Sequence, residues 1–573
     1  MPLLSLTKLP IEILDQITRW LPFNNVMRLC MTNDRTLLYL LESCGGCQTL
    51  CIHYSTMEGP FLLENSVTRF RSLRELHVKT LDEGIPGNDI GAFLASLPPS
   101  LTKLVIGPTI LTQNGTHSSV DLSTCLPALQ TLHISAYTLE KLGTMRTLPN
   151  TLTNLVLEGR ANPEDLAFLP RSLQALSLVV SGYDNDRFVR ACCEHALPPA
   201  LQTLKLFAVI SATEEMIEAL PRTIESLCMD GESTLPPSHV NHLPPTLTHY
   251  SLFSNSRLTD ESLAKFPRTL TSLNLQFSSN VTSQGLRNLP IGLKSLTIRK
   301  CQNQPSLTSS ASLANPSSSS SSSSISTITA DTCISTLPRT LTAFEMLNGV
   351  SLNDETLTKQ LLPSHLVHLR LSQDIPDSIE STSIAYLPRR MLTLVMGGSL
   401  LNDSASLLLP PRLTTLNLSL TSNITDTFFN SLPCTLLRLC LPSARNITDA
   451  AIAKLPRGLS FLQLLAAVQL TSNSIPHLPQ SLQVLDLSEN TNFDDNCIQH
   501  LPRTLTFLSL RQAKALTEAC LPFLPKGLRL YVLPNHLSAK YREPLEELAL
   551  LRKEKAKAYL HRREQQRPRS GSL

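Results

Sequence analysis

Four residues near the N-terminus have the types that bind zinc. The stretch CGGCQTLCIH carries Cys44, Cys47, Cys51 and His53, thiols and an imidazole suited to a tetrahedral ion. A structural site of this kind asks for a second Cys pair at a matching spacing, and none follows. Cys47, Leu50 and Ile52 also fall on a repeated apolar phrase, which makes Cys47 a core residue. The sequence therefore predicts no metal. Cys228 is the second candidate, with the carboxylate of Asp230 two residues on, and a thiol activated by its surroundings is a nucleophile. Yet Leu227 and Met229 sit at core positions of the same phrase, and no stretch of the chain reads as a catalytic domain. No phosphate-binding Gly loop, His-Glu-x-x-His or Gly-x-Ser-x-Gly occurs. The expectation is a non-enzyme without a cofactor.

The elements that would position any working side chain come from the repeat. Leu-Pro recurs from Leu97 to Leu524, with Phe266-Pro267 standing in once. Its steps are mostly 23 residues from Leu197 to Leu289 and all 23 from Leu409 onward. A fixed period of this size is the signature of a solenoid. Each unit reads Pro-x-x-Leu-x-x-Leu-x-Leu, as in PRTLTSLNL from Pro267 and PQSLQVLDL from Pro479. The Leu-x-Leu end alternates with period two, so it predicts a short strand with one face buried. An apolar-Thr-acid phrase often follows, as at Leu258, Ile424 and Ile447. Thr is a natural N-cap and the acid complements the helix dipole. The next Pro stops the helix, because it lacks an N–H and pushes its predecessor out of the helical region.

These units resemble leucine-rich repeats, and the Leu-x-x-Leu-x-Leu plus Thr-Asp phrase is similar to the long repeats of F-box/leucine-rich-repeat proteins. The leading Leu-Pro and the Cys-x-Asp at Cys228 are also similar to features of bacterial repeat-bearing effector ligases. The resemblance implies an α/β leucine-rich-repeat solenoid over residues 46–535, about 20 repeats, with a curved parallel sheet and short helices on the convex side. A Ser-rich insertion near 302–327 interrupts it; that composition cannot pack a core, so a disordered loop is expected.

Residues 1–45 break the phrase. Ile13, Leu14, Ile17, Trp20 and Leu21 lie on one helical face, then Val26 and Leu29 follow a turn at PFNN. Leu9, Pro10, Glu12, Ile13 and Leu14, with the apolar residues after them, resemble the F-box, a small all-α module. The resemblance implies that Leu9, Pro10, Ile13, Leu14, Ile17, Leu21, Val26 and Leu29 dock onto the adaptor subunit of a cullin-RING ubiquitin ligase. CMTNDRTLL holds no Trp, which that family often carries at this point. The alternative is a helical cap over the first repeat, since a solenoid must cover its open core.

Strand side chains alternate, so residues beside the buried Leu face the concave side. The candidates for binding a target protein are Lys205, Phe207, His249, Phe253, Asn274, Arg299, His368, Arg370, Phe461, Phe507 and Arg511, with Gln276, Thr297, Arg438 and Asp486 on the same face. Aromatic and Arg side chains are the usual anchors of protein interfaces. Charge is nearly balanced, with 49 Lys+Arg against 46 Asp+Glu, so no global field favours nucleic acid or an anionic membrane. Apolar runs fall short of the roughly 18 residues that suggest a membrane helix. No signal peptide is legible and the fourteen Cys are scattered, which predicts a cytoplasmic or nuclear protein. The Asn-x-Ser/Thr sequons, such as those at Asn417 and Asn446, then read as by-products of the repeat phrase. Residues 536–573 predict a terminal helix and basic tail; from Tyr541 they hold nine Lys/Arg and five Asp/Glu.

Overall fold

The computed structural model describes residues 26–29, 49–54, 73–80 and, with interruptions, 90–537; the longest interruption is 301–333. The chain forms two units, Met1–Asn280 and Val281–Leu573. In each, every repeat contributes one strand, and the strands lie parallel. The first unit runs from Val26–Leu29 to Ser272–Phe277. The second runs from Ser295–Lys300 to Leu530–Val532. Short α or 3₁₀ helices alternate with the strands. This is the expected α/β leucine-rich-repeat solenoid.

Local chemistry explains each turn of the path. The leucine before proline is held extended: Leu243 has φ −58° and ψ 141°, Leu478 φ −60° and ψ 141°. Pro267 O then accepts from Leu270 N at 3.1 Å, a tight turn that drops Leu270 into the core. Thr271 N and Ser272 N both donate to Thr248 O of the preceding repeat, at 2.8 and 3.0 Å, and start the ladder. Leu270, Leu273 and Leu275 are all at most 1% exposed. Each such burial is worth about 1.5–3 kcal/mol against exposure, so stacking repeats extends a core along each unit.

Two ladders of polar side chains tie neighbouring repeats together. The first uses the residue before the turn leucine in Pro-x-Thr-Leu. Thr269 Oγ1 lies 3.0 Å from Pro245 O and 2.7 Å from Leu247 O, so its one hydroxyl hydrogen is shared between two carbonyls of the previous repeat. Thr246, Ser481 and Thr504 repeat the arrangement. The second uses the acid of the Thr-Asp phrase. Asp426 accepts from the backbone N–H and the hydroxyl of Thr448, and Asp449 does the same for Thr471. The acid thus does more than complement its own helix: it fixes the N-cap threonine of the next repeat.

The Ser-rich insertion lies outside the described residues, but its flanks are clear. Ser295–Arg299 pairs directly with Ala343–Leu347. Thr340 Oγ1 reaches Ile291 O and Leu293 O at 2.6 and 2.8 Å, as in an uninterrupted repeat. The insertion therefore falls within one repeat without skipping a rung.

One expectation is corrected. Val26–Leu29 is a strand, with Val26 opposite Thr49 and Leu29 opposite Ile52, so Val26 and Leu29 do not lie on a helix of a small all-α module. The physical reason is the sheet edge. Thr49–Tyr54 would otherwise present unpaired N–H and C=O groups, and a four-residue segment beginning with β-branched Val satisfies them as a ladder. Leu9, Pro10, Ile13, Leu14, Ile17 and Leu21 lie outside the described residues, as do Cys44, Cys47 and the segment after Leu537.

Candidate functional site

In Ala175–Val179 and Thr203–Phe207 burial alternates, so the residue between the two buried positions lies on the other sheet face; Val395, Cys440 and Ser509, at the same position of later strands, are themselves buried. In the first unit Lys205 is exposed and lies in register between Ser177 and Cys228. Phe207 is half-buried beside Val179 and Asp230. His249 is exposed, its Nδ1 2.8 Å from Thr248 Oγ1. Asn274 is only half-exposed, and its Oδ1 is shut off from solvent with no hydrogen-bond partner among the described residues. Phe253 lies outside the described residues; Gln276 is on its strand with its side chain outside them.

In the second unit His368 and Arg370 are exposed on one strand, His368–Leu371, two residues apart and on the same face. Arg370 Nη1 lies 3.4 Å from Glu345 Oε1 on the neighbouring strand. His368 Nδ1 lies 3.0 Å from Thr393 Oγ1. Farther along, the Arg438 guanidinium sits 4.0 Å over the Phe461 ring, a cation–π contact across paired strands. The register continues Phe461, Val484, Phe507, a half-buried apolar row with Asp486 in the row beside it. Arg299 is on a strand, but its side chain is outside the described residues. Arg511 is a correction. It is exposed but lies in the turn after Phe507–Ser509, because the late strands have only three residues and Leu510 N already closes the ladder onto Val532 O at 2.8 Å.

Glu345 was not among the residues expected to bind. Its strand reads Ala-Phe-Glu-Met-Leu, with Phe344 and Met346 in the leucine positions, so the Leu-x-Leu pattern does not show it. The preceding PRTL at Pro338 is the signal that marks the strand.

Burial pushes the Cys228 thiol up, with Asp230 adding to the effect against the Ser251 hydrogen bond and Lys205. That is the direction opposite to a thiolate nucleophile. Among the described residues no group of three or more His, Cys, Asp or Glu side chains is placed to hold a metal, and no helix is long and apolar enough to cross a membrane.

No protein-family model matches the chain, and no curated protein matches its sequence. Among solved structures it is similar to the crystal structure of the Rad7 and Elc1 complex in yeast, with 19% identity and a TM-score of 0.36, over 71% of this chain and 85% of that one. It is also similar to CroV588, a novel circular LRR protein structure, with 18% identity and a TM-score of 0.34, over 87% of this chain and 77% of that one.

Proposed function

We propose that this chain is a non-catalytic protein-binding solenoid that serves as a substrate receptor of an F-box-type cullin-RING ubiquitin ligase, in the cytoplasm or nucleus. The repeats hold a target protein on the exposed sheet face, and the segment around Leu9, Pro10 and Ile13 holds the adaptor. The mechanism is proximity, since tethering raises the local concentration of target near a ligase carried by other subunits. The observation that carries the binding role is the sheet face itself. Arg438 stacked on Phe461, followed in register by Val484 and Phe507, presents the side-chain types that anchor protein interfaces. The mixture of Arg, His, Glu and Asp on the same face favours a protein over a polyanion.

A second reading is favoured by the strand Val26–Leu29, which extends the first unit's sheet in the manner of a cap. On that reading the chain is a scaffold, and its N-terminal segment only covers the core. Affinity purification of the full chain separates the two. Adaptor and cullin should co-purify, and replacing Leu9, Pro10 and Ile13 together with Ala should remove them while the thermal melt of the repeats is unchanged. Full chain that never retains the adaptor supports the scaffold.

A further inference from the structure

We propose that a cleft on the second unit's sheet face receives a lysine side chain of the bound target; this rests on the reading that the target occupies that face. Neighbouring strands enclose a cleft of about 280 Å³ over Ala343. Its cause is the register. Ser295, Ala343, His368 and Thr393 form one row of side chains, and Thr297, Glu345 and Arg370 form the next. Ala343 ends at Cβ between two longer neighbours, so the row has a gap at that rung.

The charges around the gap are layered. The Glu345 side chain is 30% exposed and that of Arg370 is 55% exposed, so the inner charge is negative and the positive charge stands at the rim. Arg370 reaches Glu345 through one nitrogen at 3.4 Å, and Thr297 Oγ1 lies 3.5 Å from Glu345 Oε2. Both contacts are long beside the ~2.7–2.9 Å of a charge-assisted hydrogen bond. Among the described residues the carboxylate is therefore held loosely and accepts a better donor. The Ser295 and Thr297 hydroxyls line the same cleft and add acceptors. A primary ammonium is a compact charge with three donors on a slender four-carbon stem. It fits that acceptor set, with the stem against the Ala343 methyl. The exposed guanidinium of Arg370 is then left at the rim for a carboxylate beside that lysine.

The full chain should be screened against a displayed library of random short peptides. The expected result is enrichment of peptides bearing a lysine next to an acidic residue. Glu345→Gln, which keeps the shape, should weaken the best such peptide roughly tenfold or more, as loss of a charged hydrogen-bond partner does. Ala343→Phe fills the cleft without touching a charge and should act alike, so the test stands if either variant alone folds. Replacing the peptide's lysine by acetyl-lysine should have the same effect, and Lys265→Ala, an exposed residue at the end of the helix Asp260–Ala264 in the other unit, should have none. A screen that enriches no lysine-bearing peptide, or peptides that bind folded Glu345→Gln and Ala343→Phe undiminished, overturns the proposal. Adaptor retention on the same preparations separates the outcomes. Adaptor bound without lysine selection removes the cleft and leaves the receptor reading, whereas lysine selection without adaptor leaves the cleft on a scaffold.

Discussion

Inside the first unit, His239 Nε2 and the Tyr250 hydroxyl lie 3.0 Å apart with no access to water. Tyr250 occupies a position that is leucine in the adjoining strands, facing Leu227 and Leu273 in register. A phenol there needs a partner. His239 supplies it from the preceding 3₁₀ helix Pro237–His242. Its Nδ1 is 2.7 Å from Pro236 O. A carbonyl only accepts, so Nδ1 carries the proton and Nε2 accepts from the tyrosine.

This pair should make the first unit acid-sensitive. Burial holds the His239 imidazole below its ordinary 6.5, against the opposing effects of the Pro236 carbonyl and Glu214. The unfolded chain thus takes up a proton at a higher pH than the folded one. The stabilisation carried by neutral His239 is full above about pH 6.5 and is lost as pH falls toward the folded value. Urea midpoints measured across that range should drop for the wild type. The drop should be smaller in His239→Gln. Tyr250→Phe should cost about 1–3 kcal/mol at neutral pH by leaving Nε2 without a donor.

The aspartate ladder gives a second, more acidic window. Burial pushes the Asp403 carboxyl up, but hydrogen bonds from the Thr425 hydroxyl and N–H, with Thr427 and Phe428, outweigh it and hold it below 3.8. Its contribution is present above that value and disappears as pH falls through the folded one. Asp403→Ala should lower stability by about 1 kcal/mol at pH 7, the size of a lost cap interaction reduced by solvent screening. Equal melting of variant and wild type at pH 7 would remove this role.

Register predicts a contrast between neighbours. Leu273 is 1% exposed, and Leu273→Asp buries a charge without a partner, which costs several kcal/mol or unfolds the adjoining repeats. Asn274 faces the other way but is not free in solvent, since its Oδ1 is shielded. Asn274→Ser should be nearly neutral, while Asn274→Asp should cost more than an ordinary surface change and much less than Leu273→Asp. Limited proteolysis of the three variants checks the order.

Deleting residues 306–324 should shift the melting temperature little. The strands on either side are already paired in register, and loop length enters the closure entropy only logarithmically. A large loss of stability would show that the deleted residues pack on the repeats.

Much of this architecture is legible in the sequence because its causes are local. Pro267 bends the chain where it stands, and the alternation Leu273–Asn274–Leu275 chooses which side chains are buried. A period of 23 residues repeats these instructions until stacking follows. What the tertiary structure decided depends on side chains one repeat apart, which no local pattern encodes. Asp426 meets Thr448, and His239 meets Tyr250, only once repeats are stacked. Val26–Leu29 becomes a strand because an open sheet edge lies beside it, although its spacing also suits a helix. The cleft at Ala343 exists because Ser295, from before the Ser-rich insertion, and His368, from the following repeat, stand on either side of a methyl group. A small residue in a strand is unremarkable by itself; the length of its neighbours on adjoining strands makes it a cavity, and those neighbours are set by register.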